Sequence, residues 1–342
     1  MRTTIQDVAR HAGVSVATVD RVLNGRPMVR SRTVDKVRDA MKALNYRPDI
    51  FAANLSRKRV YRFLFLLPQR RSSFMKQLTA DVALAAEHFR PGRIEIETRF
   101  FEDFNGPALA ATLDAVSPAD HDGIAVYSLD LPGVQPALNR CVERGVKVVT
   151  LVSDLPASAR AHFIGPDNVV AGRLAGRLIG RFTAGRRGNV AFIAGSMTLR
   201  DHVERHLGCE QVLRAEFPDA KLLPVVEGYD DTERTATVTR SLFDRFDAPD
   251  LMAIYSMGAG NQGLIRVMER IPRGKPVVIA HELTEHTRRA LVNGTIDALL
   301  SQDTKQEVRA AVRVLQALSD NEEVEFNMER VRLDLFFPDN LP

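Results

Sequence analysis

Three side chains near the N-terminus have the types and the spacing of a surface that contacts nucleic-acid bases. Val16 and Ala17 precede Arg21 by about one helical turn, so one helix would present all three near its start. The guanidinium fork of Arg21 can donate two hydrogen bonds to O6 and N7 of guanine, whereas Val16 and Ala17 offer apolar contacts, for example to a thymine methyl group. These residue types predict direct contacts to base pairs in the major groove of DNA.

A second set of polar residues around this helix suits phosphate oxygens better than bases. Hydroxyl, amide and guanidinium groups and helix N-termini are the usual donors to the phosphate backbone. The predicted set comprises Thr4, Ser15, Thr18, Asn24 and Arg30, together with Arg32. Asp20 departs from this pattern, because a carboxylate near phosphate lowers affinity unless it pairs with a basic group or accepts from a cytosine amino group. Both alternatives stay open.

Apolar residues at helical spacing predict three short helices that position these side chains. The first pattern follows Thr4, a predicted N-cap, and ends at Gly13, and the second begins after Ser15. The apolar positions are Ile5, Val8, Ala9 and Ala12, then Val16, Val19, Val22 and Leu23, then Val34, Val37, Met41 and Leu44. The short turn between the first two helices is typical of a helix-turn-helix, whose second helix enters the major groove by its N-terminal end.

The charge distribution agrees with a nucleic-acid-binding head. Residues 1–59 contain 13 Lys and Arg against 5 Asp and no Glu, a net charge of +8. The other 283 residues contain 34 basic and 38 acidic side chains, a net charge of −4. A basic head on a mildly acidic body favours DNA binding over the alternative of a three-helix domain that packs against another protein.

The run from Thr4 to Gly25, TIQDVARHAGVSVATVDRVLNG, resembles the DNA-binding head of the LacI/GalR family of bacterial transcription regulators. The match continues through NYRP at 45–48 and AANLS at 52–56. Many members of that family have Ser at the position of Asp20. The resemblance implies that this chain is a homodimeric regulator, most simply a repressor, that binds a pseudo-palindromic double-stranded operator.

The resemblance also implies how the N-terminal part divides. A helix-turn-helix domain would cover 1–48, and a hinge helix with its linker would cover 49–59 and become ordered on operator DNA. Leu55 would wedge into the minor groove, open a base step and bend the duplex. The alternative role for Leu55, packing against the hinge helix of the second subunit, is compatible with the first.

Other features of the chain exclude several classes of protein. The two cysteines, Cys141 and Cys209, form no CxxC pair, which argues against a disulfide scaffold or a thiolate zinc site and suits a reducing compartment. No apolar run is long enough to span a bilayer, and the polar N-terminus does not resemble a secretory signal. We therefore expect a cytoplasmic protein with no membrane contact.

Beyond residue 60, strand-like and helical patterns alternate, which predicts parallel sheets covered by helices on both faces. Predicted strands are 62–67, 94–101, 123–127, 146–151, 189–193, 222–227, 251–255 and 276–280, with a tail strand at 331–336. Predicted helices are 75–88, 106–116, 132–144, 167–183, 201–216, 232–245, 261–270 and 284–293.

The family resemblance implies that these units form an α/β effector-binding domain over 60–342, with the two lobes of a periplasmic-binding-protein-like sensor. The first lobe would comprise about 60–158 and 284–322. The second would comprise about 159–283 and 323–342. An effector would bind in the cleft between them.

Ligands of such folds bind outside the carboxyl ends of the strands, and the residues there indicate a polar effector. The predicted effector-binding residues are Phe74, Asp154, Arg205, Asn261, Glu282 and Gln302. Carboxylate, amide and guanidinium groups with an aromatic ring suit a sugar or polyol. Two departures from sugar-binding relatives, Val152 and Gly258 at positions that are often acidic, leave a nucleobase or phosphorylated metabolite as the alternative.

Two motifs could indicate an enzyme. Gly258, Gly260 and Gly263 fit GxGxxG after a strand, with Glu282 about 20 residues further on, as in dinucleotide-binding domains. The motif lies late in the chain, which argues against that function. The run from His281 to His286 resembles HExxH, but a spacing of five places the histidines on different helical faces. We therefore predict no catalytic residue, metal or cofactor.

Overall fold

The computed structural model describes residues 4–342 except 24–28, 45, 47–58, 70–71, 184–185, 247–249, 272–273 and 325–330. The chain divides into two compact units, Met1–Val60 with Phe89–Arg93 and Tyr61–His88 with Ile94–Pro342. Most of the predicted hinge segment, including Leu55, lies outside the described residues.

Three helices form the N-terminal unit: α1 Ile5–Ala12, α2 Val16–Leu23 and α3 Ser31–Ala43. Thr4 and Asp7 form a reciprocal capping box at the start of α1, and Gly13 ends the helix with φ 66°, a left-handed conformation that glycine adopts without strain. The core of the unit consists of Val8, Ala9, Val19, Val37 and Ala40. The apolar spacing that predicted the three helices therefore also supplies their packing.

The first lobe is built on a parallel sheet. Its strands are β1 Tyr61–Pro68, β2 Ile94–Phe101, β3 Gly123–Val126, β4 Lys147–Leu151 and β5 His162–Ile164. Their order is β2-β1-β3-β4-β5. The intervening helices are α4 Ser73–Phe89, α5 Gly106–Asp114 and α6 Val134–Glu143. Seven of the eight residues of β1 are buried, as expected for a strand covered on both faces.

The second lobe carries a six-stranded sheet. Its strands are β6 Gly188–Ala194, β7 Ala220–Glu227, β8 Leu251–Ser256, β9 Val277–His281, β10 Ala298–Gln302 and β11 Leu333–Phe336. Their order is β11-β10-β9-β8-β6-β7, parallel except for the edge strand β11. The associated helices are α7 Asn168–Thr183, α8 Arg200–Glu216, α9 Thr232–Arg245, α10 Asn261–Met268 and α11 Glu285–Val292. A last helix, α12 Thr304–Ser319, returns to pack against β3 and β4 of the first sheet.

The structure corrects two of the predicted lobe boundaries. β5 pairs with β4, so the first lobe extends to Ile164 rather than to about 158. β10 pairs with β9, and α11 packs on α10, so 285–302 belongs to the second lobe and only α12 returns to the first. A strand of three residues gives no periodic signal. The sequence analysis predicted no strand at 298–302, so the pairing of β10 with β9 could not guide the lobe assignment.

The described architecture is thus a two-lobed periplasmic-binding-protein-like α/β fold with an N-terminal set of short helices. None of the helices in the described part of the chain is long and apolar enough to cross a membrane.

Candidate functional sites: the helical head and the inter-lobe cleft

The N-terminal end of α2 presents the predicted base-contacting residues to solvent. Val16 is 43% exposed, and Ala17 and Arg21 are exposed as well, while Val19 on the same helix is buried in the core. Ala17 and Arg21 are four residues apart and therefore share a helical face. The arrangement leaves these three side chains available to base edges.

The predicted phosphate-contacting residues cluster at helix N-termini. The Ser15 hydroxyl caps α2 by accepting from the Thr18 amide at 3.1 Å, and the two hydroxyls lie 2.8 Å apart. Thr4 is engaged with Asp7 in the capping box of α1. Arg30 is exposed at the N-terminal end of α3. Asn24, like Leu55, falls outside the described residues.

In the body, the two lobes meet directly around the carboxyl ends of their strands. The Asp130 amide donates to the Thr198 carbonyl oxygen at 3.1 Å, and the Arg200 amide donates to the Ser153 hydroxyl at 3.1 Å. The rings of Phe104 and Tyr229 pack edge to face with centroids 5.5 Å apart. These contacts bridge the lobes and describe a closed cleft, so a ligand would enter only when the lobes separate.

Arg205 on α8 is the most deeply buried cation of this cleft and is 2% exposed. Its Nε donates to Asn168 Oδ1 at 2.9 Å, and its Nη1 donates to the Met257 carbonyl oxygen at 2.8 Å. Within the described chain Nη2 has no hydrogen-bond partner. Burial alone would lower the pKa of Arg205, but the Asp201 and Glu282 carboxylates raise it. The guanidinium therefore stays charged, with one donor group unused.

The depth of Arg205 follows from an unusually close crossing of α7 and α8. A Cβ atom added at Gly172 would lie 2.0 Å from the carbonyl oxygen of Arg205, and one at Gly208 would lie 2.1 Å from the carbonyl oxygen of Val169. Only glycine allows backbones to approach this closely. The glycines thus bring Arg205 to Asn168 at the N-terminus of α7.

Glu282 and Gln302 lie beside Arg205 at the ends of β9 and β10. Gln302 Nε2 donates to Glu282 Oε1 at 2.8 Å, and the same Glu282 oxygen is 3.9 Å from Arg205 Nη2. Gln302 Oε1 has no partner among the described residues. Burial raises the pKa of Glu282 to about 7, against the opposing effects of Arg205 and Gln302. Glu282 also has φ 73°, a strained conformation that is frequent at functional sites.

Two other predicted effector residues are already engaged by protein groups. The Asp154 carboxylate accepts from Arg160 and from the Thr150 hydroxyl. The Asn261 amide donates to the His281 carbonyl oxygen at 2.7 Å and accepts from the Ser256 hydroxyl at 2.7 Å. Asp154 and Asn261 therefore stabilise the loops that follow their strands. A ligand would have to share or displace these hydrogen bonds.

Phe74 lies in the first turn of α4, directly after β1, and is 7% exposed. It lies at the carboxyl end of the first sheet, and its contact with an effector stays a prediction. The three residues that the structure brings together are Arg205, Glu282 and Gln302.

Sequence reasoning missed several groups at this site. Asp201 precedes Arg205 by four residues on α8 and lies 3.8 Å from its Nη1, a spacing that could have identified the pair. His281 is fully buried and lies 2.7 Å from the Tyr255 hydroxyl, and burial lowers its pKa well below the usual value. Glu307, on α12, is completely buried, and the available signal was its position four residues before Ala311 and seven before Val314, on the buried face of the helix.

The glycine motif that resembled a dinucleotide fingerprint has a packing role. Cβ atoms at Gly258, Gly260 and Gly263 would lie 2.4 Å from Asp230 Oδ1, 2.1 Å from the Thr235 hydroxyl and 2.1 Å from the Thr232 carbonyl oxygen. A dinucleotide-binding motif needs its second glycine open to the pyrophosphate. Here that space is filled by Thr235. Among the described residues, no cluster of His, Cys, Asp or Glu could hold a metal ion.

Fold and site together define a two-lobed ligand-binding protein with a helix-turn-helix head. Residues 63–323 match the family described as periplasmic binding protein domain, and residues 4–49 match the family of bacterial regulatory proteins, lacI family. The chain belongs to the periplasmic binding protein domain family, and it carries the DNA-binding head of the lacI family. The predicted family resemblance and fold class are confirmed.

Curated relatives match a short stretch of the chain. The chain is 47% identical over 78 residues to the HTH-type transcriptional regulator RegA of Clostridium saccharobutylicum. It is 45% identical over 78 residues to catabolite control protein A of Staphylococcus xylosus. Each alignment covers 23% of this chain and 24% of the relative, so the match spans about a quarter of each protein.

Among solved structures, the fold is similar to that of GanP, a glucose-galactose binding protein from Geobacillus stearothermophilus. The TM-score is 0.73 and the sequence identity is 24%, over 83% of this chain and 99% of GanP. At that identity the similarity establishes the fold.

Proposed function

We propose that this protein is a sequence-specific DNA-binding transcription regulator, a repressor, whose inter-lobe cleft binds a neutral sugar or polyol. The head over 1–48 would bind operator DNA, the segment 49–59 would serve as hinge and linker, and 60–342 would bind the effector. The protein would act in the cytoplasm as a homodimer on a pseudo-palindrome, without catalysis and without membrane contact.

The observation that carries the effector proposal is the unpartnered Nη2 of Arg205. A buried guanidinium donor without a partner costs stability, and Gln302 Oε1 is unpartnered in the same place. A polyhydroxylated ligand supplies an acceptor to the first and a donor to the second through neighbouring hydroxyl groups. Phe74 is the proposed aromatic surface for the ring of the ligand.

The DNA-binding part of the proposal rests on the exposed face of α2 and on the family match of the head. Val16, Ala17 and Arg21 would contact bases, and the helix N-termini with their hydroxyl groups would hold phosphates. The relatives named as a transcriptional regulator and a catabolite control protein support a regulator that responds to carbon sources.

Ligand binding would be coupled to DNA binding through closure of the cleft. The bonds of Ser153 to Arg200 and of Asp130 to Thr198 exist only when the lobes are together, so a ligand that fills the cleft favours the closed state. Such coupling is typically worth about 1–3 kcal/mol, or about 5–150-fold in affinity.

A thermal-shift screen of the full chain tests the effector proposal. Neutral sugars and alditols are compared with sugar phosphates and nucleobases, the alternative effectors. A true effector at a hundredfold excess over Kd adds about 2.7 kcal/mol of stability, or roughly 5–10 °C in Tm. Arg205→Lys should abolish the shift because it lacks the guanidinium fork, and Arg309→Gln, at an exposed position of α12, should retain it. A shift produced only by phosphates or nucleobases would overturn the sugar assignment.

A further inference from the structure

The rings of Phe104 and Tyr229 bring the two lobes into contact at one edge of the cleft. Phe104 lies in the loop that follows β2, and Tyr229 lies in the loop that follows β7. Both strands are edge strands of their sheets. The chain crosses between the lobes after β5, after β10 and before β11, at the opposite side of both sheets. The aromatic contact therefore lies at the mouth of the cleft, the edge far from the crossovers, where rotation of the lobes separates them most.

The two rings meet in a favourable geometry. They pack edge to face, with an interplanar angle of 89° and centroids 5.5 Å apart, an arrangement that stabilises aromatic pairs beyond the area that they bury. The guanidinium carbon of Arg234, on α9, lies 5.0 Å from the centroid of the Tyr229 ring, within the range of a cation–π contact. Arg234 belongs to the same lobe as Tyr229, so it holds the tyrosine ring in place for the phenylalanine of the other lobe.

Both loops hold their aromatic residue in a strained backbone conformation. The φ angle is 52° at Phe104, 55° at Tyr229 and 52° at Asp230, in the left-handed region that residues with a Cβ atom adopt at a cost. Such strain persists only where the surrounding structure imposes it, and it is frequent at ligand clamps and switches. A glycine would relieve the strain but would remove the ring, so the strain accompanies the placement of the two rings.

Hydrogen bonds within each lobe fix the two loops. The Tyr229 amide donates to the Gly195 carbonyl oxygen at 2.7 Å. In the other lobe, the Phe104 amide donates to Asp103 Oδ1 at 3.0 Å. Each bond joins residues of one lobe, so both bonds remain when the lobes separate. The rings are therefore preorganised to meet when the lobes close.

We propose that Phe104 and Tyr229 form a clasp at the mouth of the cleft. The clasp stabilises the closed arrangement of the lobes, and it must open before a ligand enters or leaves. This inference rests on the proposed function in taking the cleft to be the effector site. It adds a regulation of that site, because the ring pair sets the share of closed molecules and the residence time of the effector.

Distance measurements on the full chain test the clasp without any ligand. Spin labels at Ala111→Cys on α5 and Arg240→Cys on α9 span the cleft, since these two exposed positions lie on the helices that follow the two loops. The labels attach selectively because the native Cys141 and Cys209 are buried. An excess of unlabelled chain ensures that the measured distances lie within one subunit.

Loss of either ring should shift the lobes towards the open arrangement. The ratio of open to closed molecules should rise about 2–10-fold in Phe104→Ala and in Tyr229→Ala, as expected for the loss of an edge-to-face pair. The double variant should raise it no further, because each single change already removes the contact. Tyr229→Phe keeps the ring and should match wild-type protein. Phe100→Ala, which removes a 47% exposed phenylalanine of the same lobe, should match it as well.

Dissociation of a bound probe gives a second readout. The probes are D-glucose, D-ribose and D-glucitol, and fluorophores at the same two labelled positions report opening in stopped flow. The dissociation rate of a probe that binds should rise about 2–10-fold in Phe104→Ala and Tyr229→Ala. It should stay unchanged in Tyr229→Phe and Phe100→Ala. A contact that only supported the fold would lower the Tm without changing the distances or the rate.

The outcomes separate the two proposals. If no neutral sugar or alditol bound to wild-type protein, the proposed function would be overturned, and the distances would still decide for or against the clasp. Unchanged distances in both alanine variants would overturn the inference even if a probe bound, and so would an unchanged dissociation rate. Additive effects in the double variant would also overturn it, because the two rings would then act separately.

Discussion

Arg205 illustrates how single residues decide this site. Two of its nitrogens are held by Asn168 and by the Met257 carbonyl oxygen, which fixes the direction of the third. Glu282 and Asp201 balance its charge without a hydrogen bond to it. Protein groups fix the position of the Arg205 guanidinium and balance its charge, and they leave one donor unused. The guanidinium is therefore preorganised for a ligand.

Glu282 gives the unliganded protein a characteristic pH dependence. Its pKa is about 7 in the folded chain against an ordinary value of 4.5, so the folded state binds the proton more tightly than the unfolded state. The associated stability is complete below about pH 4.5 and is lost as the pH rises through 7. Glu282→Gln should remove up to about 3 kcal/mol of this pH-dependent loss in the free energy of unfolding. The pH dependence contributed by Glu307, whose pKa burial also raises, should persist in this variant.

Urea denaturation of the unliganded protein between pH 5 and 8 measures this effect. The exposed Glu285 provides the control, since Glu285→Gln should follow the wild-type curve. If Glu282→Gln and wild-type protein lost stability in parallel over that range, Glu282 would not have a raised pKa.

Arg21 gives a prediction for DNA binding. If Arg21 makes the proposed bidentate contact to a base edge, Arg21→Ala should cost about 1–3 kcal/mol of binding free energy and relax specificity at one base pair. Arg30 is the proposed phosphate contact, so Arg30→Ala should weaken binding to all sequences equally and reduce its salt dependence. Selection from randomised duplex DNA, followed by anisotropy titrations, distinguishes the two. An unchanged base preference for Arg21→Ala would mean that another residue reads that base pair.

At the scale of elements, the α7–α8 crossing positions the site. Gly172 and Gly208 let the backbones of the two helices contact each other, and the backbone of Arg205 lies against Gly172. The pair of left-handed residues after β4 and β9, Val152 and Glu282, turns the chain sharply at the cleft in both lobes. The polar groups of the cleft are therefore brought together by the close α7–α8 crossing and by the left-handed residues that follow β4 and β9.

Gly172→Ala tests the crossing. The added methyl group would lie 2.0 Å from the Arg205 carbonyl oxygen, so α8 must shift. Overpacking costs about 1–3 kcal/mol, which outweighs the gain of up to about 1 kcal/mol in helix propensity. We expect a lower Tm and a weaker effector response in the thermal-shift assay. Val170→Ala, at an exposed position of the same helix, should affect neither, and an unchanged response of Gly172→Ala would contradict the positioning role of the crossing.

The sequence predicted the alternation of strands and helices because each long buried strand is a continuous apolar run. It missed the strands β5 and β10 and the helix α12. It also assigned 285–302 to the first lobe, because sheet membership depends on pairing that no local pattern records. It identified Arg205, Glu282 and Gln302 by their place at strand ends or by family position. It could not foresee that Arg160 engages Asp154, or that Glu307 is fully buried with both carboxyl oxygens unpartnered in the described chain, since both depend on three-dimensional packing.

At the scale of the whole molecule, the opposite net charges of the N-terminal segment and the body match their proposed roles. The net +8 of the first 59 residues is divided between the helical head and the segment 49–59, which ends with Arg57, Lys58 and Arg59, and phosphate neutralisation there should make DNA binding strongly salt-dependent. The net −4 of the remainder belongs to the two-lobed body, whose cleft is lined by carboxyl groups around one guanidinium. The proposal therefore assigns DNA and effector to separate parts of one chain.

The most direct test of this account is the affinity of the full chain for its selected duplex DNA with and without a saturating neutral sugar or polyol from the screen. Fluorescence anisotropy at fixed salt should show a change of about 5–150-fold in Kd for wild-type protein and none for Arg205→Lys. A ligand that binds the cleft yet leaves the DNA affinity of wild-type protein unchanged would contradict the account.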